Sequence, residues 1–334
     1  MIKFGVSLPN CCEGLIYPPP FADHNDIVNL GKESEELGYH SLWVNDHITT
    51  QNYVSKSFAN PPNYYEPLIT LSFIAAQTNK SKLSTGILVL PLRHPIILAK
   101  QVALLDLLSD GRIILGVGMG AYKEEFQRMF PDVPLSRRKL LLEEGIQALR
   151  LLWSQDRATF DGKFIKFQDI ELFPKPKQSR IPLYLGGNSE EGLKRVARWG
   201  DGWFPAMLSP QEIEASAHKI GTYAREFGRN ISDIEIAPQL TVSMGESKER
   251  AFSNFEKSFL FDHMKSLQSS TLKNMQGNFE GKMLLGTPDD IIDLVQKYVD
   301  AGVTHFGSLV IPAQTLDEFR LAMKNFSKFV MPSF

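Results

Sequence analysis

Eight times along these 334 residues a short apolar run is followed by a longer stretch of helical periodicity, and that alternation narrows the fold more than any other feature. The runs cover residues 2–8, 41–44, 83–90, 112–117, 182–185, 202–204, 234–242 and 304–310. The helical stretches cover 25–37, 67–78, 95–108, 137–153, 190–199, 210–227, 288–301 and 316–329. The clear crossovers are long enough to bring each strand back parallel to its predecessor. Eight such units predict an α/β chain folded as a (β/α)₈ TIM barrel, with residues 1–334 forming one domain.

A barrel of about 250 residues leaves about 84 to place. Three stretches fit that surplus: 49–66, 158–177 and 246–283. The second carries Asp161-Gly162 between β-forming residues, the signal of a small hairpin. The third, rich in Ser, Lys and Phe, is expected to act as a mobile lid.

Composition excludes several classes. With 36 Lys+Arg against 38 Asp+Glu the net charge is −2, which argues against a nucleic-acid or anionic-membrane binder. Hydrophobic residues at 43% can fill a large core. The two cysteines, Cys11 and Cys12, are adjacent, so they close no long loop and form no spaced metal-ligand pair. The first residues lack the apolar core of a signal peptide, and the best apolar run, 86–92, stops at Arg93. A cytoplasmic protein is expected.

Active sites of such barrels lie where the strands end. Here those positions read Pro9-Asn10-Cys11-Cys12, Asn45-Asp46-His47, Pro91-Leu92-Arg93-His94-Pro95, Gly116-Val117-Gly118-Met119-Gly120 and Gly186-Gly187-Asn188-Ser189. Each glycine cluster precedes a helical stretch, whose free N–H groups can hold a phosphate without a cationic side chain. The alternative is that the glycines only shape tight turns. The third glycine after residue 116 comes too early for a dinucleotide fingerprint. Asp46-His47 reads as a general acid/base pair, as donors to a cofactor ring, or as a structural pair organising the loop that follows. Arg93 can meet an anion or a neighbouring loop acid. Scattered His24, His47 and His94 make a poor metal set, and Gly187-Asn188-Ser189-Glu190-Glu191 misses the closing glycine of a nucleophile elbow. Without an obvious base, Cys11-Cys12 reads as an ordinary loop pair.

These strand ends resemble the luciferase-like monooxygenase superfamily, in particular its coenzyme F420-dependent oxidoreductase branch. The matching text is Glu36-Leu37-Gly38-Tyr39-His40-Ser41-Leu42-Trp43-Val44-Asn45-Asp46-His47, Thr85 to Pro95, Leu105 to Gly120, Gly186 to Ser189 and Gly200-Asp201-Gly202-Trp203. The resemblance runs in order through roughly residues 1–205. It implies a flavin or deazaflavin, FMN or F420, across the barrel mouth. By the same resemblance Asp46 and His47 approach the ring, and segment 86–88 forms a bulge under one ring face, including Ile87 and Leu88, with a non-prolyl cis peptide. Gly118, Gly120, Gly186, Gly187, Asn188 and Ser189 surround the phosphate, and Trp203 lines the pocket. One departure stands out: sugar-phosphate dehydrogenases of this superfamily place a Glu directly after the glycine run, where this chain has Ala121.

The resemblance thus implies F420-dependent hydride transfer or FMNH2-dependent monooxygenation of a small organic molecule, with His47 and Asp46 at the reacting ring. An FMN-dependent enzyme would draw on a separate flavin reductase, and a homodimer is expected. A non-catalytic flavin carrier on the same barrel is the alternative. The insertions 49–66 and 246–283 are expected to select the substrate.

Overall fold

The computed structural model describes residues 1–267, 279 and 281–334. The chain begins with β1 (Lys3–Ser7), α1 (His24–Glu36), β2 (Ser41–Val44), α2 (Asn52–Ser57) and α3 (Pro67–Gln77). It continues through β3 (Lys82–Thr85), β4 (Leu88–Val89), α4 (Pro95–Leu108), β5 (Ile113–Gly118), α5 (Lys123–Met129) and α6 (Arg137–Ser154). After the β6 (Ala158–Asp161) and β7 (Lys166–Ile170) hairpin come β8 (Leu183–Gly186), α7 (Glu190–Trp199), β9 (Gly202–Phe204) and α8 (Pro210–Glu226). The last part holds β10 (Glu235–Ile236), β11 (Gln239–Met244), α9 (Lys248–Glu256), α10 (Phe259–Leu267), β12 (Leu284–Gly286), α11 (Pro288–Asp300), β13 (His305–Val310) and α12 (Leu316–Phe329).

Parallel pairing runs β9–β8–β5–β3–β2–β1–β13–β11. The ring closes through β10 and β11, consecutive pieces of one bent strand: β10 pairs β9 at Glu235↔Gly202, and β11 pairs β13 at Gln239↔Ser308. The expected barrel is therefore present, its strands nearly all buried along their length, as a sheet covered by helices requires. Two expected strands are interrupted. The run 83–90 divides into β3 and β4 at the Gly86–Ile87 peptide, which is cis, and both pieces pair with β5. The run 234–242 divides at 237–238, where the strand changes partners. β12, not foreseen, adds to β11 outside the ring at Val242↔Leu284.

Local sequence explains the element starts. Pro67, Pro95, Pro210 and Pro288 open helices where no backbone donor is needed. Asp23, Ser209 and Thr287 close capping boxes with Asp26, Glu212 and Asp290. The barrel interior is solid: Trp43 stacks on Phe204 with centroids 4.7 Å apart, packed with Ile114, Tyr184 and Ala237 beneath Ile87. Gly116 has to be glycine, because a Cβ there would lie 2.0 Å from the Thr85 carbonyl oxygen.

The hairpin expected in 158–177 is present, antiparallel, with Phe160 opposite Phe167. In the third insertion α10 lies over the barrel mouth, and Phe259 stacks on Phe58 of the first insertion at 6.1 Å. The rest of the expected lid, 268–278 and 280, lies outside the described residues. Among the described residues no helix is long and apolar enough to cross a membrane.

Candidate active site

At the C-terminal mouth the loops after β1 and β2 are tied together by one asparagine. Asn10 donates from Nδ2 to the Asn45 carbonyl at 2.8 Å and accepts the Asn45 N–H on Oδ1 at 2.8 Å. That clamp fixes where Asp46 and His47 point. Asp46 is buried, and both carboxylate oxygens are occupied: Arg93 grips it with both Nη atoms, Nη2 at 2.9 Å from Oδ1, and the Val89 N–H donates to Oδ2 at 2.7 Å. A carboxylate so engaged anchors the β2 loop to β4. Its geometry is that of the loop-organising alternative. Arg93, a candidate anion ligand, is spent on this anchor and on Glu66 at 3.2 Å, and it does not line the cavity.

His47 is placed differently. Its Nδ1 lies 3.1 and 3.2 Å from the two Glu125 oxygens and 2.9 Å from the Gln51 side-chain amide, which in turn accepts from the Tyr64 hydroxyl at 2.9 Å. Nδ1 therefore carries a hydrogen toward Glu125. Burial disfavours the imidazolium. The hydrogen bond and charge of Glu125 outweigh that burial, so the His47 pKa is raised. Nε2 is the ring nitrogen left for the cavity.

Sequence reasoning missed Glu125 together with α5, the short helix that carries it. The signal was available: Glu124 and Glu125 follow the glycine run within five residues of Gly120.

The cavity above these groups measures about 220 Å³. Gly86, Ile87 and Val89 form its floor, Asn45, Asp46 and His47 one wall, and Gly120, Ala121 and Tyr122 another. Leu260, His263 and Met264 of α10 form the roof. The glycines fit around Ile87: a Cβ at Gly118 would meet its Cδ1 at 3.0 Å, and one at Gly186 its Cγ2 at 3.4 Å. Gly120 and Gly187 have positive φ, +79° and +122°, and a Cβ at Gly187 would meet only the Gly192 Cα, at 3.9 Å. Ser189 caps α7 by accepting the Gly192 N–H, and Asn188 donates to the Ala206 carbonyl at 2.7 Å.

A cation unforeseen from the sequence, Arg138, stands against this loop. Its Nη1 reaches the Met119 and Gly120 carbonyls at 3.5 and 3.4 Å, and its buried Nε has no partner among the described residues. Positive-φ glycines and an arginine with a spare donor suit an anionic tail; the aliphatic floor at Ile87 suits a flat ring.

The sequence profile described as luciferase-like monooxygenase matches residues 2–305. The chain belongs to this family. Similar proteins include an uncharacterized protein of Mycobacterium tuberculosis, 34% identical over 195 residues. That match covers 54% of this chain and 66% of the relative's length. Another is an F420-dependent glucose-6-phosphate dehydrogenase of Kineococcus radiotolerans, 26% identical over 324 residues and 92% of each chain. Among solved structures, an F420-dependent secondary alcohol dehydrogenase in complex with an F420-acetone adduct superposes with a TM-score of 0.81 at 20% identity. It covers 99% of this chain and 98% of that one.

In this luciferase-like barrel the candidate ligands Gly118, Gly186, Gly187, Asn188 and Ser189 are not among the residues that line the cavity, and Leu88 and Trp203 lie away from it. Leu88 is buried in the main core, because its strand pairs with Val117 and turns the side chain under the floor. Trp203 is likewise buried; its indole N–H donates to the Gly187 carbonyl at 3.0 Å and so supports the glycine loop from below.

Proposed function

We propose that residues 1–334 form one catalytic domain, an F420- or FMN-dependent oxidoreductase acting on a small organic substrate. The observation that carries this reading is the His47–Glu125 pair, directed at a cavity whose floor is Ile87 and whose wall includes the positive-φ Gly120, with Arg138 against the Gly120 carbonyl. The names of the Kineococcus relative and of the alcohol dehydrogenase support a redox cofactor. When bound, F420 supplies hydride transfer and FMN either hydride transfer or oxygen activation. The chain's own work is placement. Gly120, Gly187, Asn188, Ser189 and Arg138 would hold the phosphate-bearing tail, and Ile87 would support one face of the ring. His47, whose pKa Glu125 raises against burial, would donate from Nε2 to a polar atom of the ring or to the substrate oxygen and shuttle its proton. Asp46 and Arg93 hold His47's loop in place, and α10 excludes water from above.

Equilibrium titration with F420 and with FMN, followed by stopped-flow oxidation of the reduced complex with and without oxygen, tests this. Micromolar binding of one cofactor and turnover are expected; a separate flavin reductase is required only if FMN is the one. Binding without turnover would leave a carrier, and binding of neither cofactor refutes the reading.

The same reading includes a homodimer and a cytoplasmic setting, in keeping with the free thiols of Cys11 and Cys12. Helices α3 and α4 pack on each other, yet expose Ile69, Phe73, Ile97, Leu104 and Leu108. An apolar face of that size on a helix pair is suited to burial against its own copy. Sedimentation of the wild type as a dimer and of Phe73→Glu/Leu104→Glu as a monomer would support it; a monomeric wild type would refute it.

A further inference from the structure

The loop after β1 carries the chain's two cysteines side by side, and no step of the redox reading uses them. On the sequence alone they lacked a base; the fold brings the charge of His47 to them. Both thiols are free, and Cys11 and Cys12 are only 0% and 2% exposed, one layer behind the cavity wall. The Cys12 sulfur accepts from Asn45 Nδ2 at 3.1 Å, and the Cys11 sulfur accepts the backbone N–H of His47. Asn45 and His47 both line the cavity. The sulfurs therefore hold the strand-end turn from beneath, beside the Asn10 clamp.

The two sulfurs are not equivalent. The Cys11 thiol donates a hydrogen bond to Cys12, and this bond, helped by the charge of His47 and by the Asn45 amide, lowers the Cys12 pKa against burial. Burial, and then the same hydrogen bond, push the Cys11 thiol up. One sulfur is set as the nucleophile and its neighbour as the protonated resolving thiol, the division of labour that reversible thiol oxidation requires. Burial limits the oxidant by size. Hydrogen peroxide is little larger than water and needs only a local opening of the wall, whereas a glutathione disulfide has no such route.

We propose that Cys11 and Cys12 form a peroxide-oxidised switch, in which a disulfide between them takes the sulfur partners away from Asn45 and His47. The Cys12 thiolate takes one peroxide oxygen and becomes a sulfenic acid, and the hydroxide released recovers the proton that Cys12 gave up. Cys11 then attacks the sulfenic sulfur, and its thiol proton leaves with the hydroxyl as the second water. The two thiols lose two electrons, the peroxide gains them, and two waters form. Neighbouring Cα atoms stand about 3.8 Å apart, short of the usual disulfide span of about 4.4–6.8 Å, so the product is strained and readily reduced by a dithiol. The switch is reversible and acts on the loop that positions His47, whichever cofactor binds.

The test treats the whole cofactor-free protein with hydrogen peroxide and reads peptide mass, thiol count and hydrogen exchange. With two cysteines in the chain, the thiol count reads this pair alone. Both thiols are expected to disappear, the peptide carrying them to lose two hydrogens in mass, and dithiothreitol to restore both. The peptide bearing Asn45–His47 should exchange at least about tenfold faster after oxidation, with β13 unchanged. Cys11→Ser should stop at the sulfenic acid and take dimedone at Cys12, and Cys12→Ser should lose its thiol at least about tenfold more slowly than wild type. Cys11→Ala and Cys12→Ala serve if a serine is not tolerated in the core. The proposal is overturned if both wild-type thiols survive peroxide, if dithiothreitol does not restore them, if oxidised glutathione reacts as fast as peroxide, or if exchange at Asn45–His47 does not change.

Discussion

The barrel carries a histidine–glutamate pair at each end, and the two pairs behave in opposite ways. At the mouth, His47 faces Glu125; at the base, His305 at the start of β13 faces Glu235 at the start of β10, with Nδ1 3.6 Å from Oε2. Burial is the largest influence on both imidazoles and works against charge in both. At the mouth the carboxylate wins and the His47 pKa is raised. At the base burial wins and the His305 pKa is lowered. The difference lies in how each carboxylate is shared. Glu235 also takes Lys3 at 2.8 Å and the Tyr184 hydroxyl, and Lys3 repels a charged His305. Glu125 turns its side chain to His47. Neutral His305 instead meets Ser41 Oγ at 2.7 Å, and that oxygen also accepts the Trp43 indole N–H at 2.7 Å. At one end of the barrel the imidazole is enclosed in the core, its Nδ1 without a hydrogen-bond partner among the described residues, and at the other it borders a cavity, which matches the division of such barrels into a stabilising and a reacting face.

The sharpest way to break this comparison is to remove each imidazole in turn. His47→Ala should act chiefly on turnover, lowering it by about 10²–10⁴, with a smaller cost in unfolding temperature that fades as the pH rises. His305→Ala should do the reverse: stability drops by about 2–4 kcal/mol, because a buried group and its hydrogen bond are lost, while kcat at a permissive temperature stays near wild type. Equal loss of turnover in both variants would remove the distinction between the two ends.

A finer test changes the mouth carboxylate alone. Glu125→Gln keeps a hydrogen-bonding partner for Nδ1 but removes the charge that raises the His47 pKa. The alkaline limb of the pH–rate profile should move to lower pH, costing roughly tenfold in turnover at pH 8 and much less at pH 6. An unmoved profile would show that Glu125 only packs against the ring.

Next in size comes the glycine rim. Gly120→Ala has to hold φ near +79° and would bring its Cβ within 2.9 Å of Val89 Cγ1. A cost of about 1–2 kcal/mol is expected, with roughly tenfold weaker cofactor binding. Cofactor affinity equal to wild type would remove the loop from the cofactor site.

The barrel was legible because its strands are continuous apolar runs and its helices open on proline or a capping box, both local signals. The division of 83–90 at Gly86–Ile87 was legible only through resemblance, since Ile87 and Leu88 look like further strand residues; the division of 234–242 follows from a change of partners between β9 and β13, which no local pattern records. At the site, His47 was found from its position at a strand end. Asp46 and Arg93 were found for the same reason, yet they satisfy each other, and sequence position does not tell an engaged carboxylate from a free one. Glu125, Tyr122 and His263 were missed because α5 and α10 lie outside the strand-helix repeat and reach the mouth only when the chain is folded.

The smallest effect separates the two ends by acid alone. His40, beside the base network with its ring 5.3 Å from that of His305, has its pKa held down to about 4, chiefly by burial and then by the charges of His305 and Lys3. Below about pH 6.5 the unfolded chain binds protons that folded His40 and His305 refuse. Their contribution to stability is full above that pH and is lost as the pH falls toward 4. His47 works in the other direction, because its pKa is raised: its contribution is full below the unfolded value and is lost as the pH rises through the folded one. Unfolding temperature followed from pH 4 to 9 should therefore flatten on the acid side in His40→Asn and change on the alkaline side in His47→Ala. If both substitutions altered the same limb, the opposite settings of the two imidazoles would have to be abandoned.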